Sequence, residues 1–229
     1  MKVVSIIPAF NEEKTIKQII QSTKKYCNEI LVVCAKKSTD NTQKIVEELE
    51  VKYIIDNGKG KGDAIKCAIN YLTKTEKGDN IICVFIDADG SHNPKDIPKL
   101  VKPIINGKVD MVVGSRMLGG SEELYGSVKE FIRLFCSCII TLIINYRFNV
   151  RFTDYQNGFR AIKLNILREL NLESDITTIE QEMCIKCLKK GFKIIEVPTH
   201  EYKRIYGVSS FSLWKVGYKY FFNLIKNII

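Results

Sequence analysis

The chain has 229 residues, 45% of them hydrophobic and 27% charged, with a formal net charge of +9. That length suits one large α/β domain with a substantial core, and that balance excludes intrinsic disorder. The positive excess calls for an anionic partner. Phosphorylated substrates or a membrane surface fit, whereas nucleic acid is not expected, because the lysines are spread along the chain without a binding motif.

Residues 2–7 read as a first strand with no charged leader or cleavage site before it, so the expectation is a cytoplasmic protein. Pro8-Ala9-Phe10-Asn11-Glu12-Glu13 turns into a helix whose Ile16, Ile19, Ile20 and Thr23 share one face. Residues 29–34 form a second strand, Ser38-Thr39-Asp40 caps a helix carrying Ile45, Val46 and Leu49, and residues 51–55 form a third strand. Strands and helices alternating at this spacing predict a parallel sheet with right-handed crossovers.

Asn57-Gly58-Lys59-Gly60-Lys61-Gly62 then leads into a helix over residues 63–72. Glycines let a backbone approach phosphate closely, lysines supply charge and a helix N-terminus adds its dipole. The loop lacks the Gly-Lys-Ser/Thr ending of a P-loop, and a flexible turn with solvated lysines is the plainer alternative.

Ile81-Ile82-Cys83-Val84-Phe85-Ile86 runs apolar without alternation, the pattern of a strand buried on both faces at the centre of a parallel sheet. Asp87 and Asp89 follow at its carboxyl end, where open α/β sheets bind ligands, and across Ala88 they face the same way. Two hard oxygen donors there suit Mg²⁺ or Mn²⁺ bridging a substrate's diphosphate. The simpler reading is an Asp-rich turn into a helix at Asn93-Pro94.

A helix over residues 94–105 and a strand over 109–113 come next, the strand ending in Gly114-Ser115-Arg116, where an Arg can pair with phosphate. Residues 131–144 are strongly apolar but interrupted by Arg133. They fall short of the roughly 18–20 clean residues of a spanning helix, so a buried or membrane-surface helix is expected. Asp154-Tyr155-Gln156-Asn157-Gly158-Phe159-Arg160 reads as a turn before residues 161–170. Thr177-x-x-Glu180 reads as a capping box for a helix ending near Gly191, which gives Glu180 a structural role and leaves Glu182 as the candidate functional acid. Residues 193–197 form a last strand. The tail, residues 211–229, mixes Trp214, Tyr218, Phe221, Phe222 and Ile225 with Lys215, Lys219 and Lys226, which suits either a membrane interface or a helix packed on the domain.

Eight cysteines are scattered singly apart from Cys136-x-Cys138, and Cys67, Cys83, Cys184 and Cys187 sit in apolar patterns. They read as small buried hydrophobes of a reducing compartment. With only His92 and His200 available, a Cys-His zinc site is not expected.

Ser5-Ile6-Ile7-Pro8-Ala9-Phe10-Asn11-Glu12, Ser38-Thr39-Asp40-Asn41-Thr42, Gly60-Lys61-Gly62, Asp87-Ala88-Asp89-Gly90-Ser91-His92, Gly114-Ser115-Arg116 and Asn157-Gly158-Phe159-Arg160 occur in this order. The ordered set resembles family 2 inverting glycosyltransferases over residues 2–210. Among these it is most similar to the dolichyl-phosphate mannose synthases and related polyprenyl-phosphate glycosyltransferases. The resemblance implies a GT-A nucleotide-sugar-binding domain over residues 1–210, with a mainly parallel central sheet and helices on both faces. Residues 211–229 would then be an amphipathic C-terminal helix. It implies that Asp87 and Asp89 hold Mg²⁺ or Mn²⁺ against the donor diphosphate, with Ser91 at the place of a possible third ligand. Pro8, Asn11, Glu12 and Lys61 would line the donor pocket. Arg116, Arg133 and Arg204 would bind phosphates, and Asp154, Arg160 and Glu182 would surround the sugar and acceptor.

The implied partners are a nucleotide-sugar donor, a polyprenyl-phosphate acceptor and the cytoplasmic membrane face, with a separate anchoring subunit compatible. A lipid phosphate is already anionic, its second pKa being about 6, and needs positioning but no base. A soluble glycan or protein hydroxyl would need one, from Asp154 or Glu182. A non-catalytic nucleotide-sugar or membrane-binding module is a further alternative, and nucleotidyltransfer a remote one. Two departures stand out: Ala35-Lys36-Lys37 occupies the place of an acidic pair that touches the nucleotide base, and Ser210 stands where mannose synthases have Lys.

Overall fold

The computed structural model describes residues 1–78, 80–124, 128–206 and 213–228, and within these every side chain except those at 128–129 and 213–216. The first half alternates strand and helix as the sequence predicts: β1 (Lys2–Ala9), α1 (Ile16–Thr23), β2 (Glu29–Cys34), α2 (Thr42–Glu48), β3 (Lys52–Ile55), α3 (Lys61–Thr75) and β4 (Ile81–Phe85). A 3₁₀ turn at Pro94–Asp96 leads into α4 (Ile97–Ile105), followed by β5 (Met111–Ser115), the short α5 (Arg116–Gly119) and α6 (Val128–Phe148). Then come β6 (Arg160–Lys163), α7 (Leu164–Glu169), α8 (Ile179–Lys189), β7 (Ile194–Pro198) and α9 (Leu213–Ile228).

Among the described residues the strands form one seven-stranded sheet in the order β3-β2-β1-β4-β6-β5-β7. β4 is central, but it is parallel only to β1. On its other side it pairs antiparallel with β6, whose Arg160 lies opposite Phe85. β6 is the element the sequence does not announce, because its four residues are too few for a period to show. β5 also runs antiparallel to β6, so β1, β4 and β5 all end on one edge of the sheet.

Both faces are covered. Ile81, Cys83 and Phe85 join one core with residues of α3, α7 and α8, while Ile82 and Val84 join the other with residues of α1 and α4. Alternate residues of one strand therefore feed two cores, which is why the segment reads as an unbroken apolar run. The eight cysteines are free. Cys83, Cys184 and Cys187 are buried as expected, while Cys67 is only half-buried.

α6 is longer than its sequence pattern suggested. It has 21 residues, and its stretch Glu130–Phe148, with mean hydropathy 1.6, is long and apolar enough to cross a membrane. The expectation of too short a segment is thus corrected, because the helix continues past both ends of the apolar run. One edge of α6 packs on the domain through Ile140 and Ile144, and Asn145 holds the backbone of Phe152 at 2.8 and 2.9 Å. Phe131, Phe135, Leu142 and Tyr146 face outward. α9 behaves similarly: Leu224 is buried in the core, and Gln181 donates to the Tyr220 carbonyl at 3.0 Å, while Tyr218, Phe221 and Phe222 are exposed. Ser210 lies outside the described residues, as does the side chain of Trp214.

Candidate active site

The loop after β1 is stitched to the loop after β2. Asn11, at a φ of 57° that Asn tolerates, donates its N–H to Ser38 Oγ at 3.2 Å and accepts from Thr39 N at 2.8 Å. Glu12 N donates to Thr42 Oγ1 at 2.7 Å and Glu13 N to Asp40 at 2.9 Å. Ser38 and Thr39 thus hold the neighbouring loop rather than cap α2. The N-cap is Asn41, which makes no side-chain cap bond, while Asp40 just before it also accepts from Thr42 N at 3.0 Å. Asn11, Glu12, Glu13, Lys14, Thr39, Asp40 and Tyr206 line a cavity of about 210 Å³. Pro8 lies just before it, opposite Val33. In the departing segment Ala35-Lys36-Lys37, both lysines are exposed and Lys36 N donates to the buried Asp56 at 2.8 Å.

α3 begins two residues earlier than its pattern, at Lys61. Gly60 has a φ of 134°, and a Cβ there would meet Asp175 O at 2.9 Å, so close packing against the segment before α8 already requires this glycine. Lys61 Nζ lies 2.6 Å from Asp87 Oδ1 and 3.0 Å from Glu180 Oε1.

Asp87 and Asp89 stand beyond the end of β4, each facing a cation. Burial opposes charge on Asp87, but Lys61, then His92 and Arg204, outweigh it and hold the carboxyl below its usual range. His92 stacks on Phe159 with centroids 5.0 Å apart, its Nε2 3.8 Å from Asp87 Oδ2. Asp89 Oδ1 accepts from Ser91 N at 2.9 Å and Ser91 Oγ at 2.7 Å, while Oδ2 lies 2.8 Å from Arg204 Nη2. Ser91 therefore orients Asp89. Glu12 is pushed up to about 7, chiefly by burial, with the charges of Asp89 and Asp87 adding to it. Among the described residues no three His, Cys, Asp or Glu side chains form a ready metal cluster.

At the end of β5, Arg116 is enclosed by carboxylates. Its N and Nε donate to Asp154 Oδ2 at 3.0 and 2.6 Å, its Nη2 to Asp154 Oδ1 at 2.9 Å, and its Nη1 to Glu201 at 3.1 Å. Burial raises Asp154, yet Arg116 overcomes it and holds the carboxyl below its ordinary value. Ser121 donates to Glu201, and Glu196 accepts from Thr153 N at 2.7 Å and Asp154 N at 2.6 Å, fixing the loop. Arg116, Asp154 and Thr153 line a second cavity with Arg133, Leu134, Ser137 and Cys138 of α6.

The remaining acids and bases divide unexpectedly. Arg160 is 1% exposed and donates to the carbonyls of Tyr155, Asn157 and Glu180, so it buttresses the loop from within. Glu182 accepts from Glu173 N and Ser174 N, both at 2.8 Å, and lies 2.7 Å from Lys186. The expected capping box is absent: Thr178 is the N-cap of α8 and makes no side-chain cap bond. Glu180 instead turns to Lys61, so the two glutamates exchange the roles that their spacing suggests. Glu196, Glu201 and Tyr206 carried no sequence signal, because their partners lie far along the chain, and the local signal at Glu180 pointed to a cap.

Residues 5–170 match the family model "Glycosyl transferase family 2". The chain is 31% identical to the UDP-N-acetylglucosamine--dolichyl-phosphate N-acetylglucosaminyltransferase of Methanococcus voltae, over 96% of this chain and 93% of that one. It is 30% identical to the dolichol-phosphate mannosyltransferase of Pyrococcus furiosus, over 86% of this chain and 56% of the longer relative. A solved structure of Mycobacterium tuberculosis glucosyl-3-phosphoglycerate synthase, in complex with Mg²⁺ and UDP, superposes with a TM-score of 0.75. It is 19% identical, over 99% of this chain and 79% of that one, a likeness of fold.

Proposed function

The chain belongs to glycosyl transferase family 2, and from that premise we propose that it moves a sugar from a UDP- or GDP-linked donor to a polyprenyl phosphate at the cytoplasmic membrane face. The choice of acceptor rests on one observation: the two carboxylates that the sequence offers as a base, Asp154 and Glu182, are already engaged. Asp154 spends both oxygens on Arg116, and Glu182 spends both on backbone amides and Lys186. A hydroxyl acceptor needs a proton acceptor, whereas a phosphate arrives as an anion and needs only to be held in line. The outward apolar face of α6, which also contributes Arg133 to the second cavity, supports a lipid carrier for that phosphate.

Asp87 and Asp89 are two hard oxygen donors at one strand end, each now matched by a cation, a set that fits Mg²⁺ or Mn²⁺ sharing its remaining positions with water and the donor's phosphates. When bound, such an ion would neutralise charge growing on the departing nucleoside diphosphate. Around it Asn11, Glu12 and Pro8 would line the nucleotide, Arg204 would turn from Asp89 to the phosphates, and Lys61, held in place, would add its charge beside them. Ser91 keeps Asp89 aimed. Arg116 and Arg133 would receive the acceptor phosphate, with Asp154, Glu201 and Arg160 setting the geometry of that wall.

The test is transfer of labelled sugar from UDP- and GDP-sugars to polyprenyl phosphate in vesicles with Mn²⁺. Label in the lipid, lost in Asp89→Ala, supports the reading, and transfer confined to soluble glycans overturns it.

A further inference from the structure

We propose that Glu180 is a positioning residue of the donor site, holding the Lys61 ammonium so that it does not fully neutralise Asp87 and Asp87 keeps charge for a divalent cation. This rests on the metal reading of Asp87 and Asp89 given above.

Glu180 lies in the first turn of α8 and is 4% exposed. Its Oε1 is 3.0 Å from Lys61 Nζ, and the same ammonium is 2.6 Å from Asp87 Oδ1. Its Oε2 is buried with no hydrogen-bond partner. A half-satisfied buried carboxylate costs folding free energy, and α8 makes no use of it as a cap, so its position calls for another role.

The neighbours hold this arrangement in place. Arg160 Nη1 donates to the Glu180 carbonyl at 2.8 Å and also binds the carbonyls of Tyr155 and Asn157, tying the first turn of α8 to the loop that carries Gly158. A Cβ at Gly158 would lie 2.7 Å from Lys61 Nζ and 3.2 Å from Asp87 Oδ2. Lys61 is therefore confined between Asp87 at the end of β4, Glu180 on α8 and the Gly158 backbone.

An ammonium has three donors and one charge. Shared between two carboxylates, it leaves the trio with a net negative charge. With Glu180 neutralised, Lys61 falls wholly on Asp87, and an incoming cation meets a compensated ligand.

Mn²⁺ binding to the purified chain, measured by calorimetry on wild type, Glu180→Gln, Lys61→Gln and the double variant, tests this. Glu180→Gln keeps the side chain's shape and is expected to weaken Mn²⁺ binding by about 10-fold, an electrostatic effect in a partly desolvated site. Lys61→Gln strengthens it, and the double variant returns to wild-type affinity or better. Under turnover, Glu180→Gln raises the Mn²⁺ concentration needed for half-maximal rate more than it lowers kcat. A double variant as weak as Glu180→Gln would mean that Glu180 only supports the fold, and this overturns the proposal. Normal wild-type binding with Glu180→Gln unchanged overturns it alone, whereas wild type that binds no Mn²⁺ overturns the metal reading with it.

Discussion

Arg116 and Asp154 are joined by three hydrogen bonds, from the N–H, Nε and Nη2 of the arginine to both oxygens of the aspartate. A buried ion pair of this kind stabilises little relative to an apolar pair, but breaking it on one side is costly. Asp154→Ala, which leaves Arg116 with Glu201 as its remaining carboxylate, is expected to lower unfolding free energy by about 3 kcal/mol. Urea denaturation at pH 7 checks this, and a loss below about 1 kcal/mol would indicate an exposed, weak pair.

The same pair sets an acid limit. Asp154 is held below its ordinary value in the folded chain by Arg116, against its burial. Its stabilising contribution is therefore complete above the unfolded value of about 3.9 and is lost as pH falls through the lower native value. Between pH 5 and pH 2.5 the urea midpoint of wild type should fall more steeply than that of Asp154→Asn. Equal slopes would contradict the assignment.

Glu12 has the opposite sign. Burial, with Asp89 and Asp87 adding, pushes it up to about 7, so the folded chain favours its neutral form. That preference stabilises the fold at low pH and is lost as pH rises through about 7. Glu12→Gln should thus gain melting temperature on wild type at pH 8 and gain less at pH 5. A gain independent of pH would show that Glu12 ionises freely.

How much of this was legible in the sequence follows from where each signal lies. β4 and its aspartates were readable because a strand feeding two cores is apolar throughout, and its carboxylates follow at once. The loops after β1 and β2 were recognisable as motifs, while the bonds that stitch Asn11 to Ser38 and Thr39 were not. β6 stayed hidden because four residues inserted antiparallel between β4 and β5 depend on long-range pairing. Thr177-x-x-Glu180 satisfied a local rule, but Lys61 competes for Glu180 and prevails. Arg160 and Glu182 were identified as polar residues near the site, yet their partners are mostly backbone groups, which no side-chain pattern records.

The outer face of α6 makes its own prediction. Phe135 and Leu142 are 58% and 67% exposed, so replacing both with Ser should leave the melting temperature within a degree or two. Sedimentation with anionic vesicles should show partitioning weaker by about 10-fold or more, from the apolar area withdrawn from the interface. Unchanged partitioning would remove α6 from any membrane contact.

A phosphate carried on a lipid is distinguished from any other acceptor by offering two lipids that differ only in that group. Initial rates of sugar transfer should be measured in identical vesicles containing polyprenyl phosphate or the free polyprenol, with Mn²⁺ and the donor that binds. Product is expected with the phosphate alone, because the anion needs no base and both oxygens of Asp154 and of Glu182 are already engaged by cations and backbone amides. Comparable transfer to the free polyprenol would overturn the phosphate acceptor and favour an enzyme that glycosylates a hydroxyl.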